Sequence, residues 1–489
     1  MRVAQEDAGR QEEFQEQIQR EVARILRKAS LEFPADDPRE AELAALERRV
    51  QRVLRQVGSV LLTAFSAQVA ACLAERPCCK DCGEAMVVRH RYTVTKTGLV
   101  GDVTLTRTEY GCKACGTRDV PIDELLKAGP GGLTPELTRV TAAACAEIPS
   151  FERAAATVGE VLGIRLATRT AMRAAEAIGH VAEEELQAKM TEVASRAAAS
   201  KAASCEKAEL PAPLLEDAPT ILVGADGARA FVDRDWREVK IGVACPVGPT
   251  RHHDRRTGRD PLVLGPRQYV AGVEEADTFF DRLTVCVDEI RDRLGAPLRI
   301  LMIGDGGPWI WARSQVVASA QDEVHEILDL FHAGEHLGEV AKAVFPKEHE
   351  AKAWTHDLIT RLRDEGPDPV FDALRALNPR GRNQKKIVRL AIAYFETNRD
   401  RMDYPTYAAH GWPLGSGIVE STCRLVSNLR TKEPGMRWSY GGVQAILTLR
   451  AVRLSHEARW DHFWQTAPQT KRPAVRTLTR HKFPDPKAA

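Results

Sequence analysis

Three acidic residues stand beside glycines at points where the chain is predicted to change its structure. Asp226 and Asp305 each end an apolar, β-branched run and are followed by glycine, and Glu420 is predicted one turn into a helix that opens at 415–417. Acids at strand ends, with little bulk beside them, can bring several carboxylates onto hard cations such as Mg²⁺ or Mn²⁺. Two such ions activate an oxygen nucleophile and stabilise the leaving oxygen in a displacement at phosphorus. These residues therefore predict metal-dependent phosphodiester chemistry.

Each acid also has a structural interpretation. Asp-Gly is first of all a turn signal, and Gly-Ser-Gly is a common start for a helix. Taken singly, each acid could serve only the fold. Together, on a block of about five predicted strands, they indicate a nuclease core of the ribonuclease-H-like kind.

Other polar residues could support these acids. Asp329 and His332, in LDLFHAGEHL, follow the fifth predicted strand. They could position a phosphate or support a metal site, or Asp329 could cap a helix while His332 lies in the core, and both alternatives stay open. His336 follows one turn later, but no third ligand is apparent, so we predict no second zinc site here. Arg424 shares the helix face of Glu420, where it could meet a phosphate.

Four cysteines form two matching C-x-x-C-G elements, Cys79 with Cys82 and Cys112 with Cys115. Zinc takes four ligands held tetrahedrally, and a C-x-x-C turn presents two thiolates from one tight bend. The strand-like residues between the two elements favour a zinc ribbon with a structural ion. The alternative is reduced thiols in two unrelated turns. Cys78 could replace Cys79, but the C-x-x-C spacing favours Cys79.

Composition limits what the remaining chain can be. The 489 residues allow three or four folding units, and 69 basic against 68 acidic residues give a net charge of +1. Any nucleic-acid surface must therefore be a local patch. The charged N-terminus resembles no secretion signal, and the most apolar stretch, near 57–72, fits a helix of a soluble protein better than a membrane span. These features predict a cytoplasmic, nucleoid-associated protein with no membrane partner.

The N-terminal region, 1–75, is predicted to be helical. Its second helix carries a long apolar stripe that could associate with another chain or pack on its own chain, and the pattern is shared by both cases. The stripe comprises Leu43, Leu46, Val50, Val53, Leu54, Val57, Leu61, Phe65 and Val69.

Residues 121–182 contain a candidate helix-turn-helix. Ser150 is a good helix cap and Gly163 lies in the turn, after which a second helix opens with Arg169 and Thr170 and continues through Arg173. This arrangement would place Arg and Thr where a recognition helix contacts base edges and phosphates. A plain helical hairpin is the alternative.

The predicted architecture is multidomain α/β. TILVGAD, REVKIGVACPV, RQYVAGV, LRILMIGD and EVHEILDLFH are predicted strands of a mixed sheet, and a basic tail ends the chain with Lys471, Arg472, Arg476, Arg480 and Lys482. The predicted domains are N-terminal helices 1–75, a zinc ribbon 76–120, the helix-turn-helix region 121–182, a linker 183–215, a catalytic core 216–345, a helical insertion 346–410, the end of the core 411–465 and the tail 466–489.

A resemblance becomes specific at the C-terminal motif. GWPLGSGIVESTCRLVSNLRTKEPGMRWSYGGVQAILTLRA resembles the signature of bacterial insertion-sequence DDE transposases of the ISKra type, which are related to the Mutator-like group. The paired cysteines, ILVGADG, LMIGDGGPWIW and ILDLFHAGEHL occur in the order that this family shows. The resemblance spans about residues 76–465.

The resemblance implies an RNase-H-like catalytic domain with a helical insertion before the final glutamate. It assigns catalysis and magnesium binding to Asp226, Asp305 and Glu420, and its D-x-x-H motif corresponds to Asp329 and His332. Arg424 stands where lysine is expected after the glutamate, which keeps the charge but exchanges a compact contact for a forked donor.

The expected function is therefore DNA transposition. The protein would bind the terminal inverted repeats of an insertion sequence and its target DNA, as a homo-oligomer, and catalyse hydrolysis and strand transfer. Arg430, Lys432, the basic insertion and the tail are expected to contact phosphates. Trp309, Trp311, Trp412 and Trp438 could stack on a flipped base, although core packing suits most of them better. The alternatives are a catalytically silent DNA-binding regulator and a structure-specific nuclease of the same fold.

Overall fold

A computed structural model describes residues 2–31, 42–73, 77–128, 131–204, 218–248, 263–295 and 297–466. The chain is a mixed α/β protein that forms two compact units. The first comprises Met1–Val181 with Thr466–Ala489, and the second comprises Ala182–Gln465.

The first unit contains five helices, the start of a sixth and a small sheet among the described residues. In chain order the elements are α1 (Arg2–Leu31), α2 (Leu43–Ala71), β1 (Val87–Gly98), β2 (Gly101–Gly111), β3 (Arg118–Asp119), α3 (Pro121–Leu125), α4 (Pro135–Glu147), α5 (Phe151–Leu162) and α6 (Thr168–Ser204).

The three strands form an antiparallel sheet in the order β1-β2-β3, and α2 packs against β2. Backbone contact is close here, since a Cβ on Gly58 would lie 2.3 Å from the Val100 carbonyl oxygen. The apolar stripe of α2 thus packs partly on its own chain. Leu54 and Phe65 of that stripe stay exposed, at 63% and 53%.

Helix α2 is also long and apolar enough to cross a membrane by length and composition alone. Its polar side chains are used within the unit, however. Gln51 donates to the Val161 carbonyl at 3.0 Å, and the Thr63 hydroxyl accepts from the Thr104 amide at 3.2 Å. Such contacts suit a helix that packs against protein.

The predicted helical pair appears as α5 and α6. Ser150 caps α5 by accepting from the Arg153 amide, and Gly163 ends it in the left-handed region at φ 61°. Helix α6 continues to Ser204, so residues 183–204 of the predicted linker are helical. Ala, Glu and Lys dominate this stretch and are strong helix formers, which explains the difference. The linker residues 205–215 lie outside the described residues.

The second unit is built on a six-stranded sheet. Its strands are β4 (Thr220–Val232), β5 (Asp235–Gly248), β6 (Val263–Leu264), β7 (Gln268–Gly272), β8 (Arg299–Gly304) and β9 (Glu323–Leu328).

Its helices after α6 are α7 (Ala276–Leu294), α8 (Pro308–Trp311), α9 (Leu330–Val344), α10 (Glu348–Glu365), α11 (Asp368–Ala376), α12 (Arg382–Thr397), α13 (Tyr404–Ala409), α14 (Gly417–Thr422), α15 (Leu429–Thr431), α16 (Tyr440–Leu454) and α17 (Glu457–Thr466). Short 3₁₀ turns at Ser314–Val317 and Arg399–Arg401 and a π turn at Cys423–Asn428 complete the unit.

The sheet is mixed, as the sequence predicted. Its order is β6-β5-β4-β8-β9, with β7 also paired to β5; β4, β8 and β9 are parallel to one another, and β5 is antiparallel to β4. The alternation of side chains along β4 divides the core, because Leu222 faces one cluster and Val223 the other. Helix α7 covers the Val223 side, whereas the insertion helices, α14 and α16 cover the Leu222 side.

The predicted helical insertion, 346–410, consists of α10 to α13. Its buried faces join the Leu222 cluster through residues such as Leu358, Phe371 and Phe395. The insertion is therefore part of the core of its unit. The five tail cations from Lys471 to Lys482 lie outside the described residues.

Candidate functional site

The parallel pairing of β4, β8 and β9 places Asp226, Asp305 and Asp329 at neighbouring positions. Asp226 is on β4 and the other two each follow the last residue of their strand, so in register Asp305 lies between Asp226 and Asp329. Adjacent strands are about 4.8 Å apart, and the carboxyl ends of parallel strands meet at one edge. The register is set by the pairs Gly224 with Ile303 and Gly304 with Leu328.

Asp226 is half-buried and its two oxygens have different partners. Oδ1 accepts from the Gly227 amide at 2.6 Å, and Oδ2 accepts from the Cys423 thiol at 3.2 Å. Burial raises the pKa of Asp226, against these two hydrogen bonds, and the nearby charge of Asp305 raises it further. His332 is close enough for its charge to oppose that shift. A bound cation would offset both the cost of burying the charged Asp226 carboxylate and its repulsion from Asp305.

The turn after β8 holds Asp305. Its Oδ1 accepts from the Gly307 amide at 2.9 Å, and Gly306 takes a φ of 99° that favours glycine. The hydroxyl of Tyr394, on insertion helix α12, donates to the Asp305 carbonyl at 3.0 Å. Burial, together with the charge of Asp305, raises the pKa of Tyr394 well above its ordinary value, so the phenol stays a donor at neutral pH. The insertion thus reaches the candidate site directly.

Helix α14, which carries Glu420, lies beside the strand of Asp226. It packs on β4 where Val419 covers Gly224, since a Cβ there would lie 2.3 Å from a Val419 methyl. One turn after Glu420, Cys423 meets Asp226 and begins the π turn, a feature often found at functional sites. Glu420 itself is exposed, and its carboxylate makes no hydrogen bond or ion pair with the other described residues.

Asp329 is the N-cap of α9, which is the helix-capping role that the sequence left open for it. Its Oδ1 accepts from the Phe331 amide at 2.7 Å, and its Oδ2 accepts from the Ser416 hydroxyl. The Leu330 amide also donates to the Leu414 carbonyl at 2.9 Å. These bonds fix the segment that leads into α14, so Asp329 positions the helix that carries Glu420.

Two histidines line the same edge on α9. His332 is half-buried, and its Nδ1 lies 3.3 Å from a Glu335 carboxylate oxygen. His336 stacks on the Tyr394 ring with centroids 4.0 Å apart, and its ring meets that of His332 edge-on at 5.0 Å. Burial first, and then the charge of His332, lowers the pKa of His336. His336 is therefore neutral at pH 7 and supports Tyr394 by packing.

The four predicted cysteines come together as a candidate metal centre. Their sulfurs all lie within 4.8 Å of one another, with Cys79–Cys115, Cys82–Cys112 and Cys82–Cys115 each at 3.5 Å. A tetrahedral ion with Zn–S bonds of about 2.3 Å requires sulfurs about 3.8 Å apart. The cluster could thus hold a metal such as zinc. Cys78 is outside the cluster.

The two halves of this cluster repeat one backbone geometry. In the first, the Gly83 amide donates to the Cys79 carbonyl at 2.9 Å, and in the second the Gly116 amide donates to the Cys112 carbonyl at 3.1 Å. The two glycines have φ values of 78° and 79°. Repetition of this turn supports paired metal-binding elements over unrelated turns.

The acids are arranged differently from the cysteines. Among the residues that the structure describes, the four cysteines are the one set of three or more Cys, His, Asp or Glu ligand atoms that approach to this distance. Asp226 and Asp305 lie at neighbouring positions of paired strands and Glu420 is on the helix that packs on β4, but their oxygens do not converge as closely. Their chemistry suits a hard cation, and such an ion would draw them together.

The predicted DNA contacts have different environments. Arg169 and Arg173 are exposed on α6, and Thr170 beside them is half-buried. Arg424 and Lys432 are exposed near the candidate site, and the charge of Lys432 reaches the Cys423 thiol.

Arg430 does not fit its predicted role as a phosphate contact. Its side chain is only 2% exposed, and the guanidinium carbon lies 4.9 Å from the centre of the Trp438 ring. The sequence motif contains three basic residues close together, but the turn of the chain directs this one inward.

The four tryptophans flanking the acidic motifs pack within the unit. Trp309 meets Phe279 edge-on at 5.7 Å, Trp311 lies under Arg401, and Trp412 stacks on Tyr407 at 5.9 Å. With Trp438 against Arg430, all four have protein partners, which favours the packing role.

Cys423, Tyr394 and Ser416 are the site residues that sequence analysis did not single out. Cys423 lies three residues after Glu420, and this helical spacing was the one local signal that it shares the face of the acid. Nothing local could indicate Tyr394, because its contact with Asp305 spans 89 residues of chain.

The whole sequence matches no protein-family model and no curated protein. The assignment of function therefore depends on the site and on the motifs.

Proposed function

We propose that this protein is a DNA transposase of the ISKra-type DDE class, with an RNase-H-like catalytic core. The observation that carries the proposal is the register of β4, β8 and β9, which aligns Asp226, Asp305 and Asp329 at one edge of a mixed sheet. Helix α14 packs on β4 at Gly224, and it would add Glu420 to that edge. A structural protein has no need to bring these acids together, because their mutual repulsion is unfavourable.

The acids would hold Mg²⁺ or Mn²⁺, which activates a water or a 3′-hydroxyl and stabilises the leaving oxygen. Asp226 would provide an oxygen from within β4, Asp305 one from the end of β8, and Glu420 a third from the helix. Asp329 keeps α14 in place through Ser416. His332, half-buried beside Asp226, would donate a hydrogen bond to a phosphate oxygen.

The first unit would hold the ends of the element. The four cysteines, with zinc bound, would shape the small β sheet as a zinc ribbon, and Arg169, Thr170 and Arg173 would contact DNA from the start of α6. Arg424 and Lys432, exposed near Glu420, would contact the phosphate backbone beside the scissile bond. Terminal inverted repeats and target DNA would be the partners, and the protein would act as a homo-oligomer on DNA in the cytoplasm.

The test is to incubate purified protein with the DNA that flanks its gene, in Mg²⁺, in Mn²⁺ and in EDTA, beside Asp305→Asn. Metal-dependent breaks at a defined boundary, absent in the variant, are expected. Tight binding without any cleavage would favour the silent regulator. Cleavage that follows DNA shape and ignores terminal repeats would favour the structure-specific nuclease.

A second variant tests the catalytic role of Glu420 on α14. Glu420→Gln should abolish cleavage while DNA binding stays close to that of the wild type, because the amide cannot replace the carboxylate on a cation. Glu433→Gln, at an exposed acid 13 residues further along, is the matched control and should cut normally. Equal loss of binding and cleavage in Glu420→Gln would contradict its catalytic assignment.

A further inference from the structure

Insertion helix α12 carries four cations on one face. Arg382, Lys385, Lys386 and Arg389 are spaced by three, four and seven residues, so they project from the same side of the helix, and all are exposed. The opposite face is buried through Val388, Ala391 and Phe395.

None of these four cations has an ion pair or side-chain hydrogen bond within the described part of the chain. Several other exposed cations of the insertion are paired, for example Lys352, which lies 2.7 Å from Glu348, and Arg361, which lies 3.3 Å from Glu365. Glu396 is the one acid on α12, and it pairs with Arg375 of α11 at 3.6 Å. The face therefore keeps four uncompensated positive charges.

The same helix ends at the candidate active site. Tyr394 bonds to the Asp305 carbonyl and packs on His336. Tyr394 is five positions after Arg389, which is about 7.5 Å along a helix axis, and the four cations span about 10 Å. Phosphates on one DNA strand advance about 3.4 Å each along the duplex axis, so this face matches about three of them.

We infer that the basic face of α12, formed by Arg382, Lys385, Lys386 and Arg389, binds the phosphate backbone of duplex DNA next to the scissile bond. The position of the DNA in this inference rests on the proposed function. The contact between the cations and the phosphates does not depend on it. Four unpaired cations at helical spacing recognise a polyanion without sequence preference. The fixed contact of Tyr394 with Asp305 sets the distance from this backbone to the acids.

The test compares two double variants with equal loss of charge. Lys385→Gln with Arg389→Gln removes two cations of the face, and Lys352→Gln with Arg361→Gln removes two paired cations of the same insertion. Binding of a fluorescent duplex is measured by anisotropy over a range of salt, without divalent metal, and thermal unfolding checks that both proteins fold. Each lost phosphate contact should reduce the magnitude of the negative slope of log K against log salt by about 0.9.

For the first variant, the magnitude of this slope should fall by about 2. Its affinity for the duplex near 0.1 M salt should be about 10- to 100-fold weaker than that of the wild type. The second should match the wild type. An unchanged slope in the first variant, or an equal change in both, would overturn the inference.

A photo-crosslinker on Lys386→Cys tests the position of the face on DNA. Crosslinks should fall within about half a helical turn of the cleavage point, and crosslinks further away would overturn the placement. If the wild type cuts but the slope does not change, the inference fails and the proposed function stands. If the slope changes but no protein cuts, the surface stands and the proposed function fails.

Discussion

In the folded protein the ionised carboxylate of Asp226 is in an unfavourable environment. Burial and the neighbouring Asp305 raise its pKa, so the unfolded chain releases this proton at a lower pH than the folded chain does. The free energy of unfolding therefore falls as pH rises above the ordinary range of aspartate. A neutral residue of the same shape avoids that loss.

We predict that Asp226→Asn is more stable than the wild type at pH 7, by about 0.5–2 kcal/mol, and that the difference shrinks toward pH 4. Calorimetry at the two pH values measures it. Millimolar Mg²⁺ should raise the Tm of the wild type more than that of the variant, because binding to the folded state stabilises it. An equal Mg²⁺ effect on both proteins would contradict the placement of the ion at Asp226.

Individual residues differ in how far sequence could place them. Asp305 was predictable because it follows an apolar strand run, and it does follow the last residue of β8. Asp226 was expected to end its strand in the same way, but β4 continues to Val232, because the residues after Asp226 pair with β5. Arg430 was not, since its burial against Trp438 depends on how the chain folds after α14. Cys423 and Tyr394 act through contacts across 197 and 89 residues, and no local pattern encodes those distances.

At the scale of elements, the packing of α14 against β4 determines the position of Glu420. Gly224 has no side chain under Val419, and any Cβ there would overlap a methyl at 2.3 Å. We predict that Gly224→Ala lowers stability by about 1–3 kcal/mol and slows cleavage, because α14 must move away from the strand.

A compensating change makes this prediction specific. Val419→Ala frees the space above Gly224, so the double variant Gly224→Ala with Val419→Ala should recover much of the stability lost in Gly224→Ala. A double-mutant cycle from urea unfolding gives the coupling. Additive losses would show that the helix is not seated on this glycine.

Helix α12 holds the turn that follows β8. In Tyr394→Phe the ring can still stack on His336, but the hydrogen bond to the Asp305 carbonyl is lost. We predict a loss of about 0.5–1.5 kcal/mol in unfolding free energy and a cleavage rate lower by up to about tenfold, with DNA affinity unchanged. Tyr394→Ala, which also removes the stacking, should be worse in both respects; equal effects would mean that the hydroxyl alone matters.

The elements were more predictable than their ends. Five strands of the second unit and the helical insertion follow from β-branched runs and apolar periodicity. The end of α6 was misplaced because a low-complexity stretch suggested a linker, although its residues favour helix. The registers that align the three aspartates depend on pairing between strands up to 79 residues apart, which single-sequence patterns do not specify.

At the scale of the whole molecule, the candidate metal centre and the candidate acids belong to different compact units. The cysteines lie before Val181, and Asp226, Asp305 and Glu420 lie between Ala182 and Gln465. Around the candidate metal centre there is a small hydrophobic cluster of Cys79, Met86, Tyr110 and Cys112. The second unit has two extensive hydrophobic clusters. Stability of the two units should therefore depend on metal to different degrees.

We predict one zinc per chain, with its removal unfolding the sheet of the first unit while the second unit stays folded. Structural zinc contributes folding free energy directly, and a small core cannot replace it. Hydrogen exchange resolved by peptide, before and after chelation, should show loss of protection across β1 and β2 and unchanged protection across β4 and β8. Cys115→Ser should reproduce the chelated state, and Cys78→Ser, at the neighbouring cysteine outside the cluster, should keep its zinc. Loss of protection throughout the chain would contradict the independence of the two units, because the second unit would then need the metal as much as the first.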